Sequence, residues 1–281
     1  MPAFSRTLVA CAVVAVGLSA AACSSGGGSH ANGPTTTPSH TSGAPAGNSQ
    51  TAQQELVAAA SDAQQMRSAV ETISESTASA GTTTTGTVKI QLKPTLKMSA
   101  NINTSASGQA MRVKMILTGT TMYLSEPALT KSLGKPWVKL NLKSLGSQGA
   151  SIAQLLHSLQ SNDFANQAEL LTVAKNARVV GTQTLGGVST TEYAGSFTTD
   201  AAMKALPASF RKLFSSVLKQ MGSPTISFHE WIDAQHHMRK LVETETVGGQ
   251  TVTTTVTISA INEPVHIAVP PASKTATPPG L

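Results

Sequence analysis

The sequence predicts an α+β fold: a curved antiparallel sheet, a half-open β-barrel, with helices covering its concave face. Three observations predict it. Many short segments alternate apolar and polar residues, a few segments with three- and four-residue spacing interrupt them, and turn-forming residues separate the alternating runs. Strands with one apolar face need a second layer, and the amphipathic segments are there to supply it.

The helical pattern starts at Thr51. Leu56, Ala60, Ala63, Met66, Val70 and Ile73 recur at three- and four-residue spacings with Gln, Asp, Arg and Glu between them, which predicts one amphipathic helix of about five turns. After the Thr-rich break at Gly81 the period becomes two. Val88, Ile90 and Leu92 alternate with Lys89 and Gln91, and Leu96, Met98, Ala100 and Ile102 with Lys97, Ser99, Asn101 and Asn103. Met111, Val113, Met115 and Leu117 continue the pattern around Arg112 and Lys114, although Ile116 interrupts the polar row. Met122 and Leu124 flank Tyr123, and Val138, Leu140 and Leu142 flank Lys139 and Asn141. These are half-buried antiparallel strands with one wet face. Turns are expected at Pro94 and at 104–108.

Helical spacing returns in Ile152, Leu155, Leu156 and Leu159, then in Leu170, Leu171 and Val173. Strands follow at 177–183 and 189–197, joined by Gly186-Gly187. A helix at 206–221 carries Phe210, Leu213, Phe214, Val217, Leu218 and Met221 on one face and is stopped by Gly222 and Pro224. Three last strands, 225–233, 238–247 and 251–261, turn at 234–237 and at Gly248-Gly249.

Ahead of this domain, Arg6 and the apolar run 8–18 read as an export signal. That run is too short for a bilayer, which takes roughly 20 apolar residues. Ser19-Ala20-Ala21-Ala22-Cys23 then resembles a bacterial lipobox, with Ala20 departing from its usual Leu. The expected organisation is a signal peptide over 1–22, a lipidated Cys23 with a disordered linker to residue 50, a lipid-binding domain over 51–269 and a flexible Pro-rich tail over 270–281. Acyl chains on Cys23 would hold the protein to the outer face of a cell membrane. The linker is almost wholly Gly, Ser, Thr, Pro, Ala, Asn, Gln and His, too polar to fold, with an r.m.s. reach of about 30 Å. Cys11 leaves with the signal, so the mature fold has no thiol for a disulfide, a zinc site or a nucleophile.

The formal charge of +6 is thinly spread, with no dense basic run interleaved with aromatic residues, so nucleic acid is not an expected partner. His229, Glu230, His236 and His237 are the candidate metal ligands. Neighbouring strand residues point to opposite faces, and turn histidines are ordinarily solvated, so neither metal nor cofactor is expected. The chain lacks G-x-S-x-G, H-E-x-x-H and a phosphate-cradling glycine loop. Its 14 carboxylates form no recognisable acid/base pair along the sequence, and no enzyme is expected. Trp137, Trp231, Tyr123 and Tyr193 read as packing anchors.

The order of these features carries a family resemblance. A lipobox, a tether, an amphipathic helix and a lysine-studded meander lead to Gly134-Lys135-Pro136-Trp137-Val138-Lys139-Leu140. The second half adds Val180-Gly181-Thr182-Gln183-Thr184-Leu185-Gly186-Gly187-Val188-Ser189-Thr190-Thr191-Glu192-Tyr193, then Glu230-Trp231-Ile232-Asp233 and Arg239-Lys240-Leu241. Over roughly 55–268 this resembles the actinobacterial LppX/LprG lipoprotein family, itself similar in fold to the LolA/LolB carriers. The resemblance implies a half-open antiparallel barrel, an apolar cavity for the acyl chains of a lipid or lipoglycan, a role in lipid transport across the envelope, and no catalytic residues.

Residue usage agrees with such a cavity. Met98, Met111, Met115 and Met122 fall on inward rows, and only 4% of residues are aromatic, leaving few bulky groups to fill the space beneath a large sheet. Methionine adapts to flexible chains, though an ordinary soft core would look the same. The expected lining is Leu96, Met98, Ile102, Met111, Val113, Met115, Leu117, Met122 and Leu124 of the sheet, with Leu155, Leu159, Phe214 and Val217 from helices at 148–160 and 206–221 acting as a lid. Two non-carrier readings compete: a scaffold or interaction module with collapsed layers, and a sensor subunit bound to another envelope protein.

Overall fold

Alternation fixes most of this fold, and where alternation and helical spacing overlap the strand wins. The computed structural model describes residues 49–78, 81–106, 108–146, 149–150, 153, 174–205 and 224–278. Helix α1 (Ser49–Ala63) is followed at once by strand β1 (Ser68–Thr77). The expected five-turn helix is therefore corrected: Val70 and Ile73 belong to β1. The segment from Ser68 to Thr77 is rich in β-branched and hydroxyl residues, which lose rotamer freedom or compete for backbone bonds in a helix. Its burial also alternates, with Ala69, Glu71 and Ile73 buried while Thr72 and Ser74 are exposed.

The other strands are β2 (Thr82–Gln91), β3 (Lys97–Ala106), β4 (Gln109–Thr118), β5 (Thr121–Ser125), β6 (Trp137–Asn141), β7 (Lys175–Leu185), β8 (Val188–Thr198), β9 (Thr225–Asp233), β10 (Met238–Val247), β11 (Gln250–Ser259) and β12 (Thr275–Ala276). The threonines after Gly81 start β2 instead of forming a break, and β3 runs through Ala106 where a turn from Thr104 was expected. Both follow from the β preference of threonine. The described residues also include two short α-helices, α2 (Pro127–Leu133) and α3 (Thr199–Ala205), and a 3-10 turn at Leu142–Leu145. Pro127 takes the first position of α2, where its missing N–H costs nothing, and Glu126 Oε1 accepts from Ala128 N at 3.2 Å. Thr198 Oγ1 accepts from Ala201 N at 3.2 Å and caps α3.

All twelve strands form one open sheet in the order β12-β6-β5-β4-β3-β2-β1-β11-β10-β9-β8-β7. It is two meanders, β1 to β6 and β7 to β11, zipped together where β1 pairs antiparallel with β11. The α+β curved sheet expected from the sequence is thus the observed architecture. Gly186-Gly187 and Gly248-Gly249 make the predicted hairpins, with φ of 57° and 85° and of 59° and 78°, a left-handed pair that glycine adopts without strain.

The tail is a second correction. Ala272–Lys274 forms a 3-10 turn, and Thr275–Ala276 pairs in parallel with Trp137–Val138. Lys135 Nζ adds a hydrogen bond to Ser273 O at 2.8 Å. Part of the stretch expected to trail freely instead supplies backbone partners to the edge strand β6, which would otherwise expose them.

The core divides in two. One cluster spreads over β1 to β6 and β11, with Val88, Ile90, Met98, Met115, Met122 and Leu140 among its buried members. The other sits where α1 crosses the far end of the sheet. There Ala52, Leu56 and Ala59 pack with Ala177, Tyr193, Phe228 and Ile232. The β9–β10 turn pins this helix from the side: His236 Nδ1 lies 3.0 Å from Glu55 Oε2, and His237 Nε2 lies 3.5 Å from Asp62 Oδ2. That turn is held by Asp233, whose carboxylate accepts from Arg239 Nε at 2.7 Å and from the backbone N–H groups of Gln235 and His237 at 2.9 and 3.0 Å. Burial pushes its carboxyl up, but these donors outweigh it and hold Asp233 below the usual carboxylate range.

Candidate functional site

Side chains of directly paired residues share one face of a sheet, so the register defines the inner surface. Ile90, Met98, Leu117 and Met122 fall on one line across β2 to β5, and Val88, Ala100, Met115 and Leu124 on the next. Ile102, lying above Gly86, fills space that only a glycine leaves open. Of the expected lining, Leu96, Met98, Val113, Met115, Leu117 and Met122 are buried, while Ile102 and Leu124 are half-buried. Met111 occupies the same row at the start of β4 but is 42% exposed. Leu155, Leu159, Phe214 and Val217 lie outside the described residues, as does Cys23.

The inner face also carries an acidic set. Glu71 and Glu75 of β1, Glu230 of β9, and Glu243 and Glu245 of β10 all occupy inward positions, in register with the apolar rows. Glu75, Thr254 and Glu243 lie on one line across β1, β11 and β10, with Phe228 next on β9. Glu245 is one inward position further along β10, opposite Val252 and Ile226, and Glu230 is opposite Leu241. Burial lifts the carboxyls of Glu71 and Glu230 to about 8. Glu243 also rises to about 8, through burial and then through its acidic neighbours Glu245 and Glu230. Glu75 is raised by burial, and Glu245 by burial and by Glu75. Among the described residues, none of these five carboxylates has a hydrogen-bond or cation partner. The sequence signal was present: Glu71 and Glu75 share parity with Ile73, and Glu243 and Glu245 with Leu241, so carboxylates occupied the apolar side of the alternation.

The basic residues point the other way. Lys89, Arg112, Lys114 and Lys139 are exposed on the outer face. A cleft of about 530 Å³ there is lined by Arg112, Lys114, Lys131 and Lys135 together with Ser125 and Thr130. Trp231 is also on this side, 7% exposed, with Lys240 Nζ 4.3 Å from its ring centroid and His229 stacked at 6.2 Å. His229 Nδ1 lies 2.6 Å from Glu192 Oε1. Trp231 and Tyr193, both 7% exposed, are packing anchors as expected. Among the described residues, no group of three or more His, Cys, Asp or Glu is arranged to hold a metal ion.

No family model matches the sequence, and no curated protein matches it either. Solved structures do. LprF from Mycobacterium bovis superposes with a TM-score of 0.50 at 14% identity, covering 79% of this chain and 97% of its own. The lipoprotein LppX from Mycobacterium tuberculosis gives 0.48 at 18% identity, covering 78% and 99%. A LolA superfamily protein from Nitrosomonas europaea gives 0.24 at 8% identity, over 78% and 94%. At 14% identity the likeness to LprF is one of fold. The half-open curved sheet that the LppX/LprG resemblance implied is the fold of this chain, and it is shared with mycobacterial LprF.

Proposed function

We propose that this protein is an envelope lipoprotein, anchored through acyl chains on Cys23 at the outer face of a cell membrane, that binds the acyl chains of a lipid or lipoglycan between its sheet and helices and carries that lipid. It works by binding, without catalysis. One observation carries the reading: the larger apolar cluster, spanning seven strands, contains Met, Leu, Ile, Val and Ala and not one aromatic ring among its described members. Side chains of this kind repack around a flexible hydrocarbon, and transfer of the hydrocarbon from water would supply about 25 cal/mol per Å² buried. The fold shared with LprF agrees with it.

Native mass spectrometry of protein purified without detergent tests the proposal, together with uptake of a fluorescent fatty acid. A lipid-sized adduct and saturable uptake are expected. Bare polypeptide mass with no uptake overturns it. The second reading is a tethered scaffold with closed layers, and near-complete burial favours it: Val138, Leu140 and Met122 are 0 to 2% exposed. The same two measurements separate the readings.

A further inference from the structure

The carboxylates on the inner face call for a partner that the described part of the chain does not provide. Glu245 is 6% exposed, and its Oε2 is fully buried without a hydrogen-bond partner. A buried acceptor left unmade costs about 1–3 kcal/mol, more when charged. Glu245 faces the same set: Glu243 stands two residues before it on β10, and Glu75 is close enough to raise its carboxyl. Thr254, 4% exposed, lies between Glu75 and Glu243 in the register. With strands about 4.8 Å apart, the backbones of Glu75 and Glu243 are separated by about 10 Å, a span that two glutamate side chains and one small group between them can bridge.

The group that fits is set by donor and acceptor count. This patch offers carboxyl oxygens and a threonine hydroxyl, while the lysines and arginines of the same strands alternate to the outer face or pair with Asp233. An ammonium has three donors and no acceptor, so it complements such a set. A hydroxyl offers one donor, and a carboxylate or phosphate offers none. A metal ion needs several oxygens converging on one point, an arrangement absent among the described residues. The apolar rows of β1 to β5 begin directly beside the patch, where Ile73 separates Glu75 from Glu71 and Val256 follows Thr254.

We propose that Glu75, Glu243 and Glu245, with Thr254 between them and Glu230 beside them, form a headgroup subsite for an amine-bearing amphiphile whose alkyl chain runs along the methionine side of the same face. This rests on the acyl-chain reading given above and sharpens it by naming the headgroup. Ammonium binding to a protonated glutamate releases that proton to solvent and leaves an ion pair. Among the described residues, the titratable groups facing the subsite are Glu71 and Glu75 of β1, Glu230 of β9, Glu243 and Glu245 of β10, and Tyr193 of β8, while β2 and β11 contribute Thr84, Gly86, Thr254 and Val256.

Three ligands of equal chain length test it by isothermal titration calorimetry on the delipidated mature protein: dodecylamine, dodecanol and dodecanoate. Dodecylamine is expected to bind about ten-fold tighter than dodecanol, with dodecanoate weakest and proton release seen only for the amine. In E243Q/E245Q the amine should lose this advantage while dodecanol affinity is unchanged. Equal binding of all three, or dodecanol at least as tight as the amine, overturns the headgroup subsite and leaves the acyl-chain site standing. Failure of all three to bind overturns both. The wild-type ranking decides the matter even if the double variant does not fold.

Discussion

The two apolar clusters are built on one sheet but filled differently. Under α1 the packing is rigid and ring-bearing: Phe197 and Phe228 approach with centroids 6.0 Å apart at 37°, and Tyr193 closes the group against the helix. Across β1 to β6 there are no rings among the described members, and flexible methionines recur on successive strands. Rings hold one arrangement, whereas unbranched chains accept many. The contrast teaches that one half of the inner face is filled by rings that interlock, while the other is filled by unbranched and aliphatic side chains that can repack.

The largest effect expected from this contrast is on stability. Phe228→Ala should cost about 3–5 kcal/mol, because a fully buried ring leaves a cavity that neighbours cannot close, while Met115→Ala should cost about 2 kcal/mol. Urea unfolding of both variants checks this, and equal losses would break the distinction. Next comes pH. Glu71, Glu230 and Glu243 hold protons in the fold up to about 8 but release them near 4.5 when unfolded. Unfolding therefore releases protons, so stability is fullest below the unfolded value and falls as pH rises from about 4.5 to about 8. The loss should be read as a lower Tm at pH 8 than at pH 5. Replacing Glu243 by Gln should flatten that slope.

A smaller effect is expected on uptake. Met115→Trp should weaken fatty acid binding about ten-fold by filling space in the soft half, with a Tm change of only a few degrees in the same preparation. The smallest is at the rim of the rigid half. His236 and Glu55 are 48% and 33% exposed at the side chain, so His236→Ala should change stability by under about 0.5 kcal/mol in urea.

The sheet was legible in the sequence because alternation is local: the rows of Met98, Met115, Leu117 and Met122 are set by strand parity alone. The start of β1 was obscured because Val70 and Ile73 also fit a helical stripe running on from Leu56. The inward parity of the glutamates was readable, but their convergence was hidden for a different reason. They come from β1, β9 and β10 and meet only after the two meanders join, a long-range register that no window of sequence contains. Docking of Thr275–Ala276 on β6 is likewise invisible from composition, since a proline-rich stretch looks the same bound or free.

The seam between β1 and β11 sets a schedule for synthesis. Ile73 is made early and Val256 late, yet the two must pair. Until the last meander has left the ribosome, one side of β1 presents unsatisfied backbone groups, an invitation to wrong partners. A chain stopped short of residue 250 would keep that ribbon open permanently, so loss of even the final hairpin should yield insoluble protein and not a smaller working domain.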